Sequence, residues 1–367
     1  YEVQAPNPDF IIKPIDGFGN PDMLRIALAA EKPDILMIFT DPRFFTWLWA
    51  MEDEIHQICP IAYWHVWDNY PSPAYNEDYY RSTDLINCHS YLTYEIVKEK
   101  FPERTNFIPH ALPDNLFYPM EDNDIKHAKQ KMLGYDKKDN FVLFWVNRNA
   151  KRKRPSDVLA AWKKFLDKLT PHQKNKTTLL MHTDPHDQEG PNLLAVSDML
   201  GITNSVIFSN ERVDFEVMNT MHNISDACIN IAYAEGFGLA TLESMQVANP
   251  IIVAKTGGLT RQVIDHRDGT ENGIGLDIKT KTLVGSQSVP YIYEDYVCLD
   301  DTADAIYKLY SMSSNERKAL GIKAREYVMS EFSMQTTIDM WHESLLKLSN
   351  NWKAGERVVP RYSITEF

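Results

Sequence analysis

Glu235 and Glu243 stand eight positions apart, with the glycine-bracketed turn Gly236-Phe237-Gly238 between them. Glycine on both sides of Phe237 permits a sharp turn and a close approach of backbone to a ligand. The following run LATLESMQVA has good helix formers, with Leu239, Leu242, Met245 and Val247 along one broad face. A helix starting at Leu239 and Ala240 would aim free N–H groups at the turn, where an anion such as a pyrophosphate is favoured. The two carboxylates then flank a phosphate-sized gap and suit the hydroxyls of a ribose and of a second sugar. Taken alone, the same residues also describe an ordinary loop and helix with two surface glutamates.

A second stretch has the complementary charge. Arg148 and Lys151-Arg152-Lys153-Arg154 put five cations within seven residues, a self-repulsion that calls for an anionic partner. Arg148 offers a planar fork of donors and Lys153 a point charge, both suited to neutralising a diphosphate leaving group. The loop follows the apolar strand Phe141–Val146 and precedes a helix, so it lies at a strand's carboxyl end, where open α/β sheets bind ligands. A solvated loop or a nuclear-localisation-like patch is the plainer alternative.

The surrounding elements are those of an α/β chain. Ile35–Phe39, Ile61–His65, Leu85–Cys88 and Asn106–Pro109 read as short strands, alternating with helices at Pro21–Glu31, Phe45–Gln57 and Ser90–Lys100. Residues 1–20 read as loop. Pro113–Asp124 is a polar linker, after which a second alternation begins at Phe141. It continues through Thr178–His182, Val206–Phe208 and Ala227–Asn230, each followed by a helix, and reaches the strand Ile251–Ala254. Asp265–Val297 reads as irregular, and Thr302–Ser311, Ser314–Phe332 and Thr336–Leu348 as helices. The pattern predicts two doubly wound sheets joined near residue 120, with ligand between them at the strands' carboxyl ends. The first sheet lacks an opening strand, glycine loop and helix before residue 20, and Tyr1 is not an initiator Met. An N-terminal portion is therefore expected to be missing.

With the order strand, R-x4-K, helix, then E-G-F-G-L-x-x-L-E and Gly257-Gly258, the chain resembles the retaining family-4 glycosyltransferases of GT-B fold. Ile108 to Pro119, IPHALPDNLFYP, is similar to that family's linker motif I-P-N-G-V-D-x-x-x-F-x-P. The resemblance covers most of residues 140–265 well and the first half loosely. It implies an acceptor-binding Rossmann-like domain over 1–120, completed by 335–367, and a donor-binding one over 121–334. It also implies transfer, with retention, from a nucleotide sugar to a glycan or other hydroxyl acceptor. Arg148 and Lys153 would hold the diphosphate as it leaves. Glu235 would bind the donor sugar, with Gly236, Phe237 and Gly238 supplying close backbone, and Leu239 and Ala240 would meet the phosphates. Glu243 would take the ribose, Gly257 and Gly258 would line the donor cleft, and the base would lie near Val206–Glu211. UDP- or GDP-linked sugars are the expected co-substrates, and no bound cofactor is implied.

Tyr63-Trp64-His65-Val66-Trp67-Asp68 ends a strand at the expected cleft. His65 is read either as a group that binds a donor hydroxyl or positions the acceptor, or as a satisfied packing histidine. Trp64, Trp67 and Asp68 are the acceptor-side candidates, with stacking aromatics weighed against plain packing. The chain departs from the family at Asn249, where Gly is usual before Pro, and at Arg261, where Glu is common; Arg261 either alters the preferred sugar or, the reading preferred here, faces solvent.

Other features narrow the class. With 38 Lys and Arg against 51 Asp and Glu, the net charge is −13, which argues against general nucleic-acid binding. No apolar run approaches the roughly 20 residues of a membrane span. Four scattered cysteines fit reduced thiols and a cytoplasmic setting. His182, Asp184, His186 and Asp187 lack the fixed spacing of zinc ligands, and Asp122-Asn123-Asp124 sits in the linker rather than at a strand end. No metal is therefore expected, and the cations must do its work. The competing readings are a phosphorylase, a sugar-nucleotide epimerase or a non-catalytic sugar-nucleotide or glycan-binding protein.

Overall fold

The computed structural model describes residues 4–7 and 9–359. A short antiparallel hairpin, β1 (Gln4–Asn7) and β2 (Phe10–Ile12), stands where a loop is expected. Its ladder is made by backbone groups, which pair without any particular side-chain pattern. Four parallel strands follow in sequential order: β3 (Leu36–Thr40), β4 (Ile61–His65), β5 (Leu85–Cys88) and β6 (Thr105–Phe107). Ile38, Ile61, Tyr63, Ile86 and Cys88 pack into one core with Trp49, Tyr80 and Val97. The segment expected as one helix over Phe45–Gln57 is a 3-10 turn, Pro42–Phe45, and two single-turn helices, Thr46–Trp49 and Glu52–Ile55.

The second sheet is six-stranded and wholly parallel. It comprises β7 (Phe141–Val146), β8 (Thr177–His182), β9 (Val206–Ser209), β10 (Ala227–Asn230), β11 (Ile251–Ala254) and β12 (Ile274–Leu276). Its order is β12-β11-β10-β7-β8-β9, so the direction of winding reverses between β7 and β10. The apolar run of β7 is covered on both faces. Leu143 and Trp145 enter the core of helix Pro155–Asp167, whereas Val142 and Phe144 pack with Met221 and Ile224 on the opposite side. A continuous apolar strand is what burial on both faces requires.

Past β12 the chain does not wander. β13 (Thr280–Val284) and β14 (Ile292–Tyr296) form an antiparallel hairpin inside the segment expected to be irregular. Its β-branched and aromatic runs flank Gly285-Ser286, a signal available in the sequence but diluted by neighbouring Gly, Ser and Thr. The hairpin touches the first half of the chain. Tyr293 N donates to Tyr70 O at 2.7 Å, Asn69 Nδ2 to Tyr293 O at 3.1 Å, and the Tyr75 hydroxyl to Tyr291 O at 2.8 Å.

The last helix, Met334–Lys353, lies against the first sheet. Trp341 meets Trp64, Ser344 bonds Asn87, and Leu348 packs on Ala62 and Leu85. Arg261 does not face solvent. Its side chain is 17% exposed, pairs with Glu331 at 2.8 Å, and stacks over Tyr91 and Phe107 of the first half. Burying a guanidinium among rings and a carboxylate makes Arg261 a tie between the halves.

Candidate active site

The loops after β7 and β10 meet where the winding reverses, the place at which an open α/β sheet leaves a crevice. After β7 a single 3-10 turn, Lys151–Lys153, ends at Arg154 in the left-handed region, and Pro155 then opens the next helix. This sharp exit turns Lys153 inward, and it is only 8% exposed. After β10, Asn230 accepts the Ala232 N–H through Oδ1 and donates from Nδ2 to Glu235 at 3.3 Å. Glu235, 7% exposed, forms an ion pair with Lys153, and Arg152 lies 3.9 Å from its other oxygen. Burial pushes the Glu235 carboxyl up, but Lys153, Arg152 and the bond from Asn230 outweigh it and hold it below the ordinary value.

The turn beyond Glu235 is clamped from beneath. Gln262 Nε2 donates to the carbonyls of Phe237 and Gly238 at 2.8 and 3.0 Å, and Gly258 N donates to Glu235 O at 3.0 Å. Gly238 adopts φ +95° and leads into helix Leu239–Gln246, whose N-terminus has no side-chain cap. Its first N–H groups are left for an external acceptor. Gly257 and Gly258 are buried below this turn rather than lining the cleft. A Cβ on Gly257 would fall 1.9 Å from Glu235 O, and one on Gly258 2.5 Å from Phe237 Cα. Their role is to let two backbones touch.

A cavity of about 360 Å³ opens over these groups, between the two sheets. From the second half it is lined by Arg152, Lys153, Glu235 and the turn Gly236 to Ala240. From the first half it is lined by Asp68, His89 and His110. Burial raises the Asp68 carboxyl above its usual range, with Glu235 adding to the rise and Arg152 and Lys153 opposing it. His89 follows directly on β5. Its Nδ1 lies 2.6 Å from His65 O and therefore carries the proton, leaving Nε2 bare in the neutral ring. Burial lowers His89 to about 4, and burial with the neighbouring His89 lowers His110 to about 3.

His65 and Arg148 are also placed elsewhere. His65 is 0% exposed, with its Nε2 2.6 Å from the Tyr80 hydroxyl and its ring against Tyr63, and burial holds it neutral. Strand alternation decides this: Tyr63 and His65 share the core face of β4, while Trp64 between them points to His110 and Trp341. His65 therefore supports His89 through its carbonyl and does not enter the cleft. Arg148 is 60% exposed and turns away to Asp187 at 2.7 Å and Glu189 at 3.1 Å. Arg152, not Arg148, is the second cation over the cavity. Trp67 and Asp68 line an adjoining cavity, and Trp64 lines neither.

Glu243 sits farther along, where its carboxylate accepts from His222 Nε2 at 3.0 Å. His182, at the end of β8, bonds Ser209 at the end of β9 with 3.0 Å between Nδ1 and Oγ. The strand end expected to meet the base thus faces the same edge of the sheet. Asp187 of the histidine- and aspartate-rich loop is spent on Arg148, and Asp122 pairs with Lys318 at 3.1 Å. The missed residues, His89 and His110, had a usable signal: one directly follows a strand, and the other lies in the linker motif.

Comparison with known proteins fits this geometry. Residues 126–277 match the family model described as Glycosyl transferases group 1. A D-inositol 3-phosphate glycosyltransferase of Acidothermus cellulolyticus is 28% identical over 179 residues, 48% of this chain and 38% of that protein. One of Corynebacterium jeikeium is 24% identical over 250 residues, 68% of this chain and 53% of that protein. The chain thus spans about half or less of the curated relatives it matches. Among solved structures, a glycosyltransferase from Rickettsia africae superposes with a TM-score of 0.69 over 96% of this chain and 84% of that one, at 15% identity. Anabaena HepE in complex with UDP and glucose gives 0.66 over 90% and 84%, at 17% identity. The fold is GT-B, and its second sheet, with the Lys153–Glu235 crevice, lies in the stretch that is similar to group 1 glycosyl transferases.

Proposed function

We propose that this chain is a glycosyltransferase that moves a sugar, with retention, from a nucleotide donor to a hydroxyl acceptor. The observation that carries the reading is the buried Lys153–Glu235 pair beside an uncapped helix N-terminus at the winding reversal. A diphosphate arriving there gains Lys153, Arg152 and the N–H groups of Leu239 and Ala240, while Glu235 hydrogen-bonds hydroxyls of the donor sugar. In the transfer, the bond from the sugar's anomeric carbon to the phosphate oxygen breaks and a bond to the acceptor oxygen forms. The acceptor's hydroxyl proton passes to the leaving diphosphate, whose growing negative charge the cations stabilise. His89, with its bare Nε2 held towards the cavity, takes the donor-hydroxyl role first considered for His65. Glu243 takes the ribose.

Charge neutralisation by Lys153 and Arg152 supports a reaction without a metal ion, and the resemblance to family-4 enzymes supports retention. An epimerase needs no acceptor, whereas a second cavity adjoins the first here. The direct test is a thermal-shift screen against UDP-, GDP- and ADP-sugars in the presence of a chelator. One nucleotide class is expected to raise the melting temperature and so identify the base. A folded protein that responds to none of them would overturn the reading.

A further inference from the structure

The adjoining cavity, about 340 Å³, lies between the first half of the chain and the β13–β14 hairpin. It meets the donor-side cavity at Val66, Asp68 and Arg152, which line both. Its walls carry Asp41, Arg43, Trp67 and Glu294, with apolar support from Val289 and Ile292. The volume is at the small end of ligand sites, enough for one or two sugar rings.

Each cation in and beside it lies near a carboxylate. Arg43 is held by Asp41 at 3.3 Å, and Arg152 lies 3.9 Å from Glu235, which Lys153 also engages. Asp68 and Glu294 add two more carboxylates to the lining, so the acids outnumber the cations even before a donor diphosphate is bound. With Arg152 taken by the donor diphosphate, an acceptor phosphate would have to compete with Asp41 for Arg43, and would face the diphosphate, Asp68 and Glu294 as like charges. Hydroxyl groups, in contrast, can donate to Asp41, Asp68 and Glu294. Trp67 adds ring surface to the wall; the residue is 4% exposed and its indole N–H is itself buried.

We propose that this cavity is the acceptor site and that it selects an uncharged, polyhydroxylated acceptor over a phosphorylated one, with the β13–β14 hairpin as its outer wall. The assignment rests on the transferase reading above. It separates this chain from the relatives named for inositol 3-phosphate, whose acceptor carries the charge this cavity rejects.

The test measures release of nucleoside diphosphate by the full chain, using the donor found by thermal shift and paired acceptors. Suitable pairs are glucose with glucose 6-phosphate, mannose with mannose 6-phosphate, and myo-inositol with inositol 3-phosphate. The uncharged member of at least one pair is expected to show a tenfold or greater advantage in kcat/KM. Glu294→Gln, which weakens a hydroxyl acceptor on the hairpin wall, is expected to raise the acceptor KM several-fold while leaving the donor-induced melting shift unchanged. Asp41→Asn frees Arg43 and is expected to narrow the preference against phosphate. The proposal fails if phosphorylated acceptors match or exceed their uncharged partners. It also fails if neither class raises release above donor hydrolysis in a protein that still shows the donor shift. Loss of the donor shift itself would instead remove the transferase reading, and this inference with it.

Discussion

Replacing Lys153 by alanine takes the nearest cation from a carboxylate that is almost wholly buried. In the native protein burial raises Glu235, but Lys153 and Arg152 pull it below the ordinary value of 4.5. A depressed carboxylate contributes stability above the unfolded value and loses it as pH falls through the folded one. In Lys153→Ala only Asn230 at 3.3 Å and Arg152 at 3.9 Å remain, so burial dominates and the carboxyl shifts up instead. Its charge then destabilises the fold at neutral pH, and the penalty eases as pH falls and Glu235 takes up a proton. Stranding one partner of a buried pair costs about 3–5 kcal/mol. At about 2–4 °C per kcal/mol for a domain of this size, melting at pH 8 should fall by roughly 6–20 °C. The protein should remain folded at 25 °C, because typical stabilities are about 5–15 kcal/mol. The assay is thermal melting of wild type, Lys153→Ala, Glu235→Gln and the double variant at pH 8 and pH 5. The deficit of Lys153→Ala should shrink at pH 5, and adding Glu235→Gln should recover most of it at pH 8. Sugar transfer should fall about 10²–10³-fold in Lys153→Ala and should not be recovered by the double variant. An equal deficit at both pH values, with no relief from Glu235→Gln, would refute the buried-pair argument.

Other perturbations test separate parts of the structure. Gly257→Ala places a Cβ against Glu235 O in a backbone with φ +49°, and is expected to cost several kcal/mol, read as melting temperature, and to abolish transfer. Glu243→Gln keeps a partner for His222 but loses the charged acceptor for the ribose; donor affinity, by titration, should drop about tenfold. Arg261→Ala removes the stack on Tyr91 and Phe107 and should cost about 1–2 kcal/mol, with Arg261→Lys recovering only part, as judged by denaturant melts. His89 and His110 are lowered to about 4 and about 3, so between those values and the ordinary 6.5 the unfolded chain binds more protons than the folded one. Stability should therefore fall as pH drops below about 6, by up to about 2.7 kcal/mol per unit from the pair, and His89→Gln should lessen that slope in pH-dependent melts.

What local sequence could determine here was the order of strands and helices, the glycine turn after β10 and the basic loop after β7. Each depends on neighbours within a few residues: an apolar run, a glycine able to turn, a proline that starts a helix. The carboxyl-end position of both loops followed from that order alone. Tertiary structure decided which of several similar side chains entered the site. Arg148 and Arg152 are equal as cations in the sequence, yet the loop around Asp187 holds one away while the other, on the single 3-10 turn, lines the cavity. His65 reads equally as a cleft or a packing histidine; the two-residue repeat of β4 sends it into the core, and the end of β5 supplies His89 to the cavity instead. Arg261 reads as a surface charge until the first half of the chain brings Tyr91 and Phe107 over it. The β13–β14 hairpin gains its meaning only from Tyr70 and Tyr75, more than two hundred residues earlier. Chain-local patterns fix which groups are available at a strand end, whereas the face a side chain takes and the partner it meets are set by contacts distant in sequence.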